Sequence, residues 1–274
     1  MDDTIGTTGW ILDDATRRAL RLDRIERALR SGAFDSAIVE AEEMLDRTPD
    51  DVEGLVLLGD ASLEAGDNEV AAASYEHALR LTQGRSARAL QGLAVARFEL
   101  CDLVECTEVA REALRLEPAA ADAHYFLGLA LERLGQAAEA AASFAAARQL
   151  APDEYPYPMM LTPSDWKRAV SLAVRGLAPE LQQFWADIPI VLEQEPSLEE
   201  LRAASPPISP RIAGLYVGTP PQDDASGAER PEALRLFTAA LSRSPSHDDL
   251  VRQIAATLEA EALNWLGIPP EDLS

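Results

Sequence analysis

Apolar residues between about 18 and 154 recur at helical spacing, in stretches that repeat every 34 or 35 residues. Four short motifs divide these stretches: G-A-F-D-S-A, G-D-N-E-V-A, C-D-L-V-E-C and G-Q-A-A-E-A, at 32–37, 66–71, 101–106 and 135–140. An apolar helical stretch precedes and follows each motif. A period of this length, with a small residue at the central turn, is typical of helix–turn–helix units stacked into a solenoid. The pattern therefore predicts about four helix pairs, an α-solenoid.

The pattern from 164 to 274 is mixed and predicts a small α+β domain. Ser164 is placed to cap a helix that Gly176 ends, and two short helical patterns follow it. Apolar or alternating runs predict three strands, at 188–193, 212–218 and 233–238. The last apolar stretch predicts one long helix, with Ser246 as its cap and Gly267 as its stop.

Two segments fall outside both patterns. Residues 1–17 form an acidic lead-in that is rich in threonine and glycine near its start. Residues 155–163 form a proline-rich connector, because prolines at this density interrupt a helix and favour an extended, semi-rigid chain.

The charge balance argues against nucleic acid as a partner. The chain has 47 acidic and 24 basic side chains, for a formal net charge of −23. Such a surface repels phosphate backbones and anionic membranes. The one candidate basic patch is a row of arginines interleaved with Asp23 and Glu26, and we interpret it as a solvated helix face. Its members are Arg17, Arg18, Arg21, Arg24, Arg27 and Arg30.

Cysteine usage and the hydropathy pattern bear on the location of the protein. Cys101 and Cys106 are the only cysteines, and their spacing within a helical region makes neither a disulfide framework nor a zinc knuckle. The N-terminus lacks the basic and apolar regions of a signal peptide, and no apolar run approaches membrane-spanning length. The sequence therefore predicts a cytoplasmic protein without membrane insertion.

The repeating half resembles the tetratricopeptide repeat. The marks are clearest in the second and fourth units: Leu58, Gly59, Gly66, Ala71, Tyr75 and Ala78, then Leu127, Gly128, Gly135, Ala140, Phe144, Ala147 and Pro152. The third unit departs from the pattern with Cys101 at its turn and Cys106 where alanine is usual. We interpret Cys106 as a small buried apolar residue rather than a redox group.

The resemblance implies a protein partner bound in a groove that the first helix of each pair lines. By register the groove residues are Glu53, Val56, Asp60, Leu63, Arg88, Gln91, Val95, Phe98, Tyr125, Leu129, Glu132 and Arg133. The Lys/Asn/Arg set with which some members clamp a terminal carboxylate is missing. A mixed acidic and apolar groove suits a segment with basic and apolar residues. Alternatively, the N-terminal segment or the second domain of this chain fills the groove.

The second half resembles the small zincin-like metallopeptidase family that carries H-E-x-x-H-H-x-G near its C-terminus. The matching landmarks are I-P-I-V-L-E at 188–193, L-Y-V-G-T-P at 215–220 and G-I-P-P-E-D-L at 267–273. Anchored on Gly267, the resemblance places the first metal-binding histidine at Ala260, the catalytic glutamate at Glu261 and the second histidine at Asn264.

The resemblance implies zinc chemistry that these positions do not support. Two histidines four residues apart present imidazole nitrogens to zinc, and the glutamate deprotonates the bound water. Ala260 has no ligand atom, and an asparagine amide is a poor substitute for imidazole. The chain has three histidines, of which His77 and His124 belong to the repeats and His247 lies about 20 Å from Ala260 along the helix. We therefore predict no metal, no cofactor and no catalytic residue.

Glu261 has two interpretations. It is either a vestigial carboxylate that binds a cation or a basic group of a partner, or a glutamate at the edge of the core that accepts a hydrogen bond from the sheet. Burial would raise its pKa through desolvation. Trp265 stands where the family has a further histidine, and we expect its indole to fill the former cleft.

These observations predict a non-enzymatic adaptor or scaffold, built from a repeat groove and a metal-free pseudo-peptidase domain. Two alternatives stay open. One is a metallopeptidase whose metal site is non-standard or completed by a partner. The other is a regulatory subunit of an active peptidase.

Overall fold

The computed structural model describes residues 13–219 and 230–268. The chain divides into two compact units, Met1–Leu150 and Ala151–Ser274. Within the described residues, the first unit is entirely helical outside its turns, and the second combines helices with a small sheet.

The first unit, called here the repeat unit, contains eight described helices in four pairs. Consecutive helices pack against each other, and the first helices of neighbouring pairs also touch, as a solenoid requires. The predicted α-solenoid is confirmed. The helices are α1 (Asp14–Arg30), α2 (Phe34–Leu45), α3 (Val52–Ala65), α4 (Asn68–Thr82), α5 (Ala87–Glu99), α6 (Leu103–Leu116), α7 (Ala121–Arg133) and α8 (Ala137–Leu150).

The central turn of each pair passes through the left-handed region of backbone space. Gly32, Gly66 and Gly135 have φ of 74°, 84° and 75°. Cys101 holds the same position in the third pair at φ 63°, although a side chain at positive φ is disfavoured by about 1 kcal/mol. The motif therefore sets the turn geometry even where glycine is missing.

Cys106 is fully buried, as the sequence predicts. Its thiol donates weakly to the Phe126 carbonyl oxygen at 3.9 Å. Burial raises the pKa of the thiol to about 12, so the nucleophilic thiolate is disfavoured.

Helix α1 begins earlier than the lead-in boundary at residue 17 suggests. It starts at Asp14, and the Asp13 carboxylate caps it by accepting from the Thr16 amide at 2.7 Å. The residues of the lead-in from Asp14 onward are therefore helical, and residues 1–12 lie outside the described part of the chain.

The second unit contains three described strands, and the three predicted strands are confirmed with shorter bounds. Strand β3 is central, parallel to β1 and antiparallel to β2. The elements in chain order are α9 (Pro163–Gly176), α10 (Pro179–Trp185), β1 (Ile190–Glu193), α11 (Leu198–Ala203), β2 (Gly214–Val217), β3 (Ala233–Phe237), α12 (Thr238–Leu241) and α13 (His247–Leu266).

Helices α9 and α13 cover one face of this sheet. Leu234 and Leu236 of β3 are fully buried against α13, where Ile254 and Leu258 are equally buried. The indole of Trp185 closes the same core and donates to the Leu258 carbonyl oxygen at 3.1 Å. Alternation along β3 puts Arg235 on the opposite face, where it pairs with carboxylates.

The expected cap of α9 was wrong by two residues. Thr162, not Ser164, is the cap: its hydroxyl accepts from the Asp165 amide at 3.3 Å, and the Asp165 carboxylate accepts from the Thr162 amide at 3.0 Å. A capping box needs its acidic residue three positions after the cap, and Pro163 suits the first helical position. The last residue of the predicted connector 155–163 is therefore helical.

Candidate functional site

Helix α13 has the ends that the sequence predicts. The Ser246 hydroxyl accepts from the Asp249 amide at 3.2 Å and donates to the Asp249 carboxylate at 2.6 Å. Gly267, at φ 64°, ends the helix in the left-handed conformation. The apolar residues that recur at helical spacing along α13 are all buried: Leu250, Ile254, Leu258, Ala262 and Trp265.

A second row of α13 residues lies directly on strand β2. Thr257 packs on Gly214, whose position leaves room for no side chain, since a Cβ there would lie 2.8 Å from Thr257 Cγ2. Glu261 accepts a hydrogen bond from the amide of Tyr216. Further along both elements, the Trp265 indole meets Gly218, where a Cβ would lie 3.2 Å from the ring.

The spacing of these contacts follows from the rise per residue of a helix and the rise per residue of a strand. Eight residues of helix advance about 12 Å, and four residues of strand advance about 13 Å. Every fourth residue of α13 from Thr257 to Trp265 therefore meets every second residue from Gly214 to Gly218, the residue that follows β2. The helix and the edge strand are matched along this whole contact.

Glu261 is buried in this contact, with 8% of the residue exposed. Its Oε2 accepts from the Tyr216 amide at 2.9 Å. Desolvation raises the pKa of this carboxyl, and the hydrogen bond from Tyr216 opposes the rise. The geometry is that of a glutamate at the edge of the core that is bonded to the sheet.

Trp265 fills the space beside this carboxylate. The residue is 3% exposed, and its ring meets the Tyr216 ring edge to face, with centroids 5.2 Å apart and planes at 86°. The indole therefore packs against Tyr216 of β2 and against Gly218, which follows the strand.

The side chains at the motif positions do not fit a zinc ion. Ala260 and Asn264 are both exposed, whereas Glu261 is buried. Ala260 has no donor atom, the Asn264 amide is a weak donor for zinc, and the Glu261 carboxylate is turned toward the Tyr216 amide. Within 13–219 and 230–268, no cluster of three or more histidine, cysteine, aspartate or glutamate side chains has metal-binding geometry.

The predicted groove residues divide by burial. Val56, Phe98 and Leu129 are 5%, 1% and 5% exposed, so their side chains belong to the core and the prediction that they line the groove was wrong. Phe98, for example, packs edge to face on Phe126 at 5.6 Å. Each first helix touches its own partner helix and the neighbouring first helices, and these contacts bury part of the face assigned to the groove.

The other nine groove residues are at least partly accessible. Glu53, Arg88 and Glu132 are exposed. The half-buried ones are Asp60, Leu63, Gln91, Val95, Tyr125 and Arg133. The accessible surface of the groove is therefore mainly polar, with both signs of charge.

Asp60 is the centre of a polar cluster in this groove. Its carboxylate accepts from the Tyr75 hydroxyl at 2.6 Å and pairs with the Arg88 guanidinium. Tyr75 itself is fully buried between Gly59 of α3 and Gly92 of α5, where an added Cβ would lie 2.6 Å and 2.2 Å from its ring. Burial, with the charge of Asp60, raises the pKa of the phenol. The tyrosine that packs two repeats together thus also holds a groove carboxylate in place.

Two more groove residues have polar partners. Arg18 of α1 donates to the Glu53 carboxylate at 3.0 Å and also pairs with Asp51. Gln91 donates to Glu117 at 2.8 Å. Charge-assisted hydrogen bonds thereby connect α1, the first helix of the repeat unit, to the second helix pair.

The arginines of α1 do not form an open basic patch. Besides Arg18, four of them pair with acids of this chain: Arg17 with Asp14, Arg24 with Glu40, Arg27 with Asp23 and Arg30 with Glu26, at 2.7–3.9 Å. These pairs agree with the solvated helix face that the sequence predicts.

Family comparisons identify both units. The tetratricopeptide repeat family matches residues 22–87, 56–103 and 108–155, and the zincin-like metallopeptidase family matches residues 185–274. Tetratricopeptide repeats generally mediate protein–protein interaction, so the repeat unit has a protein-interaction role. No curated protein matches the chain. None of the described helices is long and apolar enough to cross a membrane.

Solved structures with a similar fold cover about half of the chain. One is MamA, at 26% identity and a TM-score of 0.44, which covers 47% of this chain and 75% of that one. MamA 41-end from Desulfovibrio magneticus RS-1 has 24% identity, a TM-score of 0.45 and coverages of 49% and 76%. A thermophilic TPR protein in Thermus thermophilus, TTC0263, has 24% identity, a TM-score of 0.45 and coverages of 49% and 74%.

The repeat unit has four helix pairs and matches the tetratricopeptide repeat family. The second unit combines helices with a small sheet and matches the zincin-like family. The chain carries tetratricopeptide repeats fused to a zincin-like metallopeptidase domain.

Proposed function

We propose that this protein is a non-enzymatic adaptor of the cytoplasm. Its repeat groove binds a partner segment that carries basic and apolar residues, and its zincin-like domain is a pseudo-peptidase. The observation that carries the non-enzymatic part is the position of Glu261, whose carboxylate accepts from the Tyr216 amide while Ala260 and Asn264 face solvent. A general base for hydrolysis must instead lie within hydrogen-bond distance of the water that attacks the substrate carbonyl.

The binding part is supported by the charge of the groove. Glu53 and Glu132 are exposed on α3 and α7, and Asp60 of α3 is half-buried. Acidic groups along a groove attract a basic segment and set its register, while partly accessible apolar residues such as Leu63 and Val95 supply contact area.

Metal content and hydrolysis test the non-enzymatic part. The full chain, incubated with Zn²⁺ and dialysed, is expected to retain well below one equivalent of zinc and to leave a mixed peptide library uncut. Glu261→Gln is the matched control, since it removes the carboxylate charge and keeps the side-chain shape. Zinc at one equivalent, with hydrolysis that Glu261→Gln abolishes, would establish the enzyme instead.

A charge reversal tests the groove. A partner captured by the full chain is purified, and its Kd is measured for Glu53→Lys/Glu132→Lys. The control is Glu69→Lys/Glu108→Lys, two exposed acids of the second helices α4 and α6, with the same change in net charge. We expect the groove variant to lose about tenfold in affinity and the control to lose less than about twofold. Equal losses in the two variants would contradict binding in the groove.

A further inference from the structure

Helix α9 has two sharply different faces. Trp166, Ala169 and Ala173 are buried in the core of the second unit. At 100° per residue, Arg168 and Arg175 lie on the opposite side, within about 20° of each other. Both are exposed, and so are Lys167, Ser171 and Leu172 around them.

The described part of the chain places no acid in an ion pair with the cations of this face. Among the residues that the structure describes, no acid lies within 4.0 Å of the charged groups of Lys167, Arg168 or Arg175. Asp165 is the only acid on α9, and its carboxylate is engaged at the cap by the Thr162 amide and hydroxyl, at 3.0 Å and 2.6 Å. The charge of Arg168 helps to lower the pKa of Asp165 without forming an ion pair with it.

This pattern is unusual for a chain of net charge −23, in which acids outnumber bases by 47 to 24. On α1, by contrast, five of six arginines pair with acids. Helix α9 also lies between the two family matches, which end at 155 and begin again at 185. The properties of neither family therefore account for its basic face.

We propose that the exposed face of α9 is a docking surface for an acidic segment of a partner protein. Lys167, Arg168 and Arg175 supply the charges, and Leu172, which is 39% exposed, supplies an apolar contact between them. Arg168 and Arg175 are two helical turns apart, about 10 Å. A partner helix with acids at the same spacing, and an apolar residue between them, matches this face.

Charge favours an acidic protein segment over the other polyanions. A nucleic acid or an anionic membrane presents dense charge over a long distance, and the net charge of −23 of the whole chain repels it. A short peptide contacts the three cations alone. The proposal does not rest on the repeat groove, because α9 belongs to the second unit.

Peptide binding to the full chain tests the surface. The probe is a synthetic amphipathic peptide with glutamates three, four and seven residues apart around a leucine, and the matched peptide has glutamine at each glutamate. We expect the acidic peptide to bind at least about tenfold more tightly than the glutamine peptide, with an affinity that falls as salt is added. Fluorescence anisotropy measures both.

The test variant is Lys167→Glu/Arg168→Glu/Arg175→Glu, which is expected to lose the preference for the acidic peptide. The control variant is Arg24→Glu/Arg47→Glu/Arg85→Glu, three exposed cations of the repeat unit, with the same change in net charge. We expect the control to stay within about threefold of the unmodified chain, since long-range attraction alone is largely screened at physiological salt. Circular dichroism checks that both variants fold.

Four results would overturn the proposal. The α9 variant could bind the acidic peptide as well as the unmodified chain does, or the two peptides could bind equally. A duplex DNA or anionic vesicles could bind through α9 while the peptide does not, which would change the class of partner. Sedimentation could show self-association that the α9 variant alone abolishes, which would make a second copy the occupant.

Discussion

Tyr75 in the repeat unit and Trp265 in the second unit pack in the same way, but the carboxylates beside them differ. Each ring lies against glycine backbone, at Gly92 and Gly218 respectively. Asp60 accepts from the Tyr75 hydroxyl, pairs with Arg88 and stays partly open to the groove.

Glu261, beside Trp265, is buried and accepts from one backbone amide, that of Tyr216. One packing arrangement therefore supports an accessible charged surface in the repeat unit, and a closed helix–strand contact in the second unit. The Asp60 carboxylate keeps contact with solvent, whereas the Glu261 carboxylate joins helix α13 to strand β2.

The largest loss of stability is expected for Gly92→Ala. A Cβ at this position would lie 2.2 Å from the Tyr75 ring, so either the ring or helix α5 must move. Overpacking of this kind costs about 2–3 kcal/mol of unfolding free energy. Urea denaturation followed by circular dichroism measures the loss. Gly176→Ala is the control and is expected to stay within about 0.5 kcal/mol, because nothing lies within 4 Å of its added Cβ.

A double variant sharpens this result. Tyr75→Leu in the Gly92→Ala background removes the clashing ring, so the combined cost is expected to be smaller than the sum of the two single costs. Strict additivity would show that the ring and the glycine do not constrain each other.

The helix pairs could be predicted because their cause is local. The spacing of apolar residues and the small residue at each central turn can be read from a short stretch of sequence. Cys101 adopts the left-handed conformation at the position where the motif requires one. The strands were also predictable, but their bounds were too long, since strand ends depend on pairing. The cap of α9 was misplaced because Thr162 and Ser164 are both good caps, and the position of Asp165 decides between them.

The groove and the α13 contact depend on packing between distant residues. Helical register placed Phe98 and Val56 toward the groove, and contacts with neighbouring helices bury both. The amide that Glu261 accepts from belongs to Tyr216, 45 residues away, and only the alignment of α13 along β2 brings them together. Gly214, Tyr216 and Gly218, spaced two apart, were the available signal, since two glycines on one face of a strand mark close approach.

The next largest loss of stability is expected for substitution of Glu261. Glu261→Ala leaves the Tyr216 amide without its acceptor in a buried place, which costs about 1–3 kcal/mol. Glu261→Gln keeps an acceptor and removes the buried charge, so it should be at least as stable as the unmodified chain at pH 7. Comparing the unfolding free energies of the two variants separates the contribution of the hydrogen bond from that of the buried charge. Urea denaturation measures both.

The pH dependence has a definite sign. The pKa of Glu261 is raised in the folded state, so the folded chain binds this proton more tightly than the unfolded chain does. The cost of the buried charge is therefore full above the folded pKa, and it disappears as the pH falls toward the unfolded value of about 4.3. The advantage of Glu261→Gln should shrink over that range. Urea midpoints at a series of pH values measure it, and a constant difference would contradict a buried carboxylate.

The smallest effect is expected for Tyr75→Phe. This substitution keeps the ring between Gly59 and Gly92 and removes the hydroxyl that donates to Asp60 at 2.6 Å. Asp60 retains Arg88 and, with 24% of its side chain exposed, also reaches water. The loss should therefore be about 0.5–1 kcal/mol, less than for a fully buried acceptor. Urea denaturation with Gly92→Ala alongside ranks the two effects. A loss as large as that of Gly92→Ala would mean that Asp60 depends on the Tyr75 hydroxyl as strongly as Glu261 depends on the Tyr216 amide, and the contrast between the two carboxylates would fail.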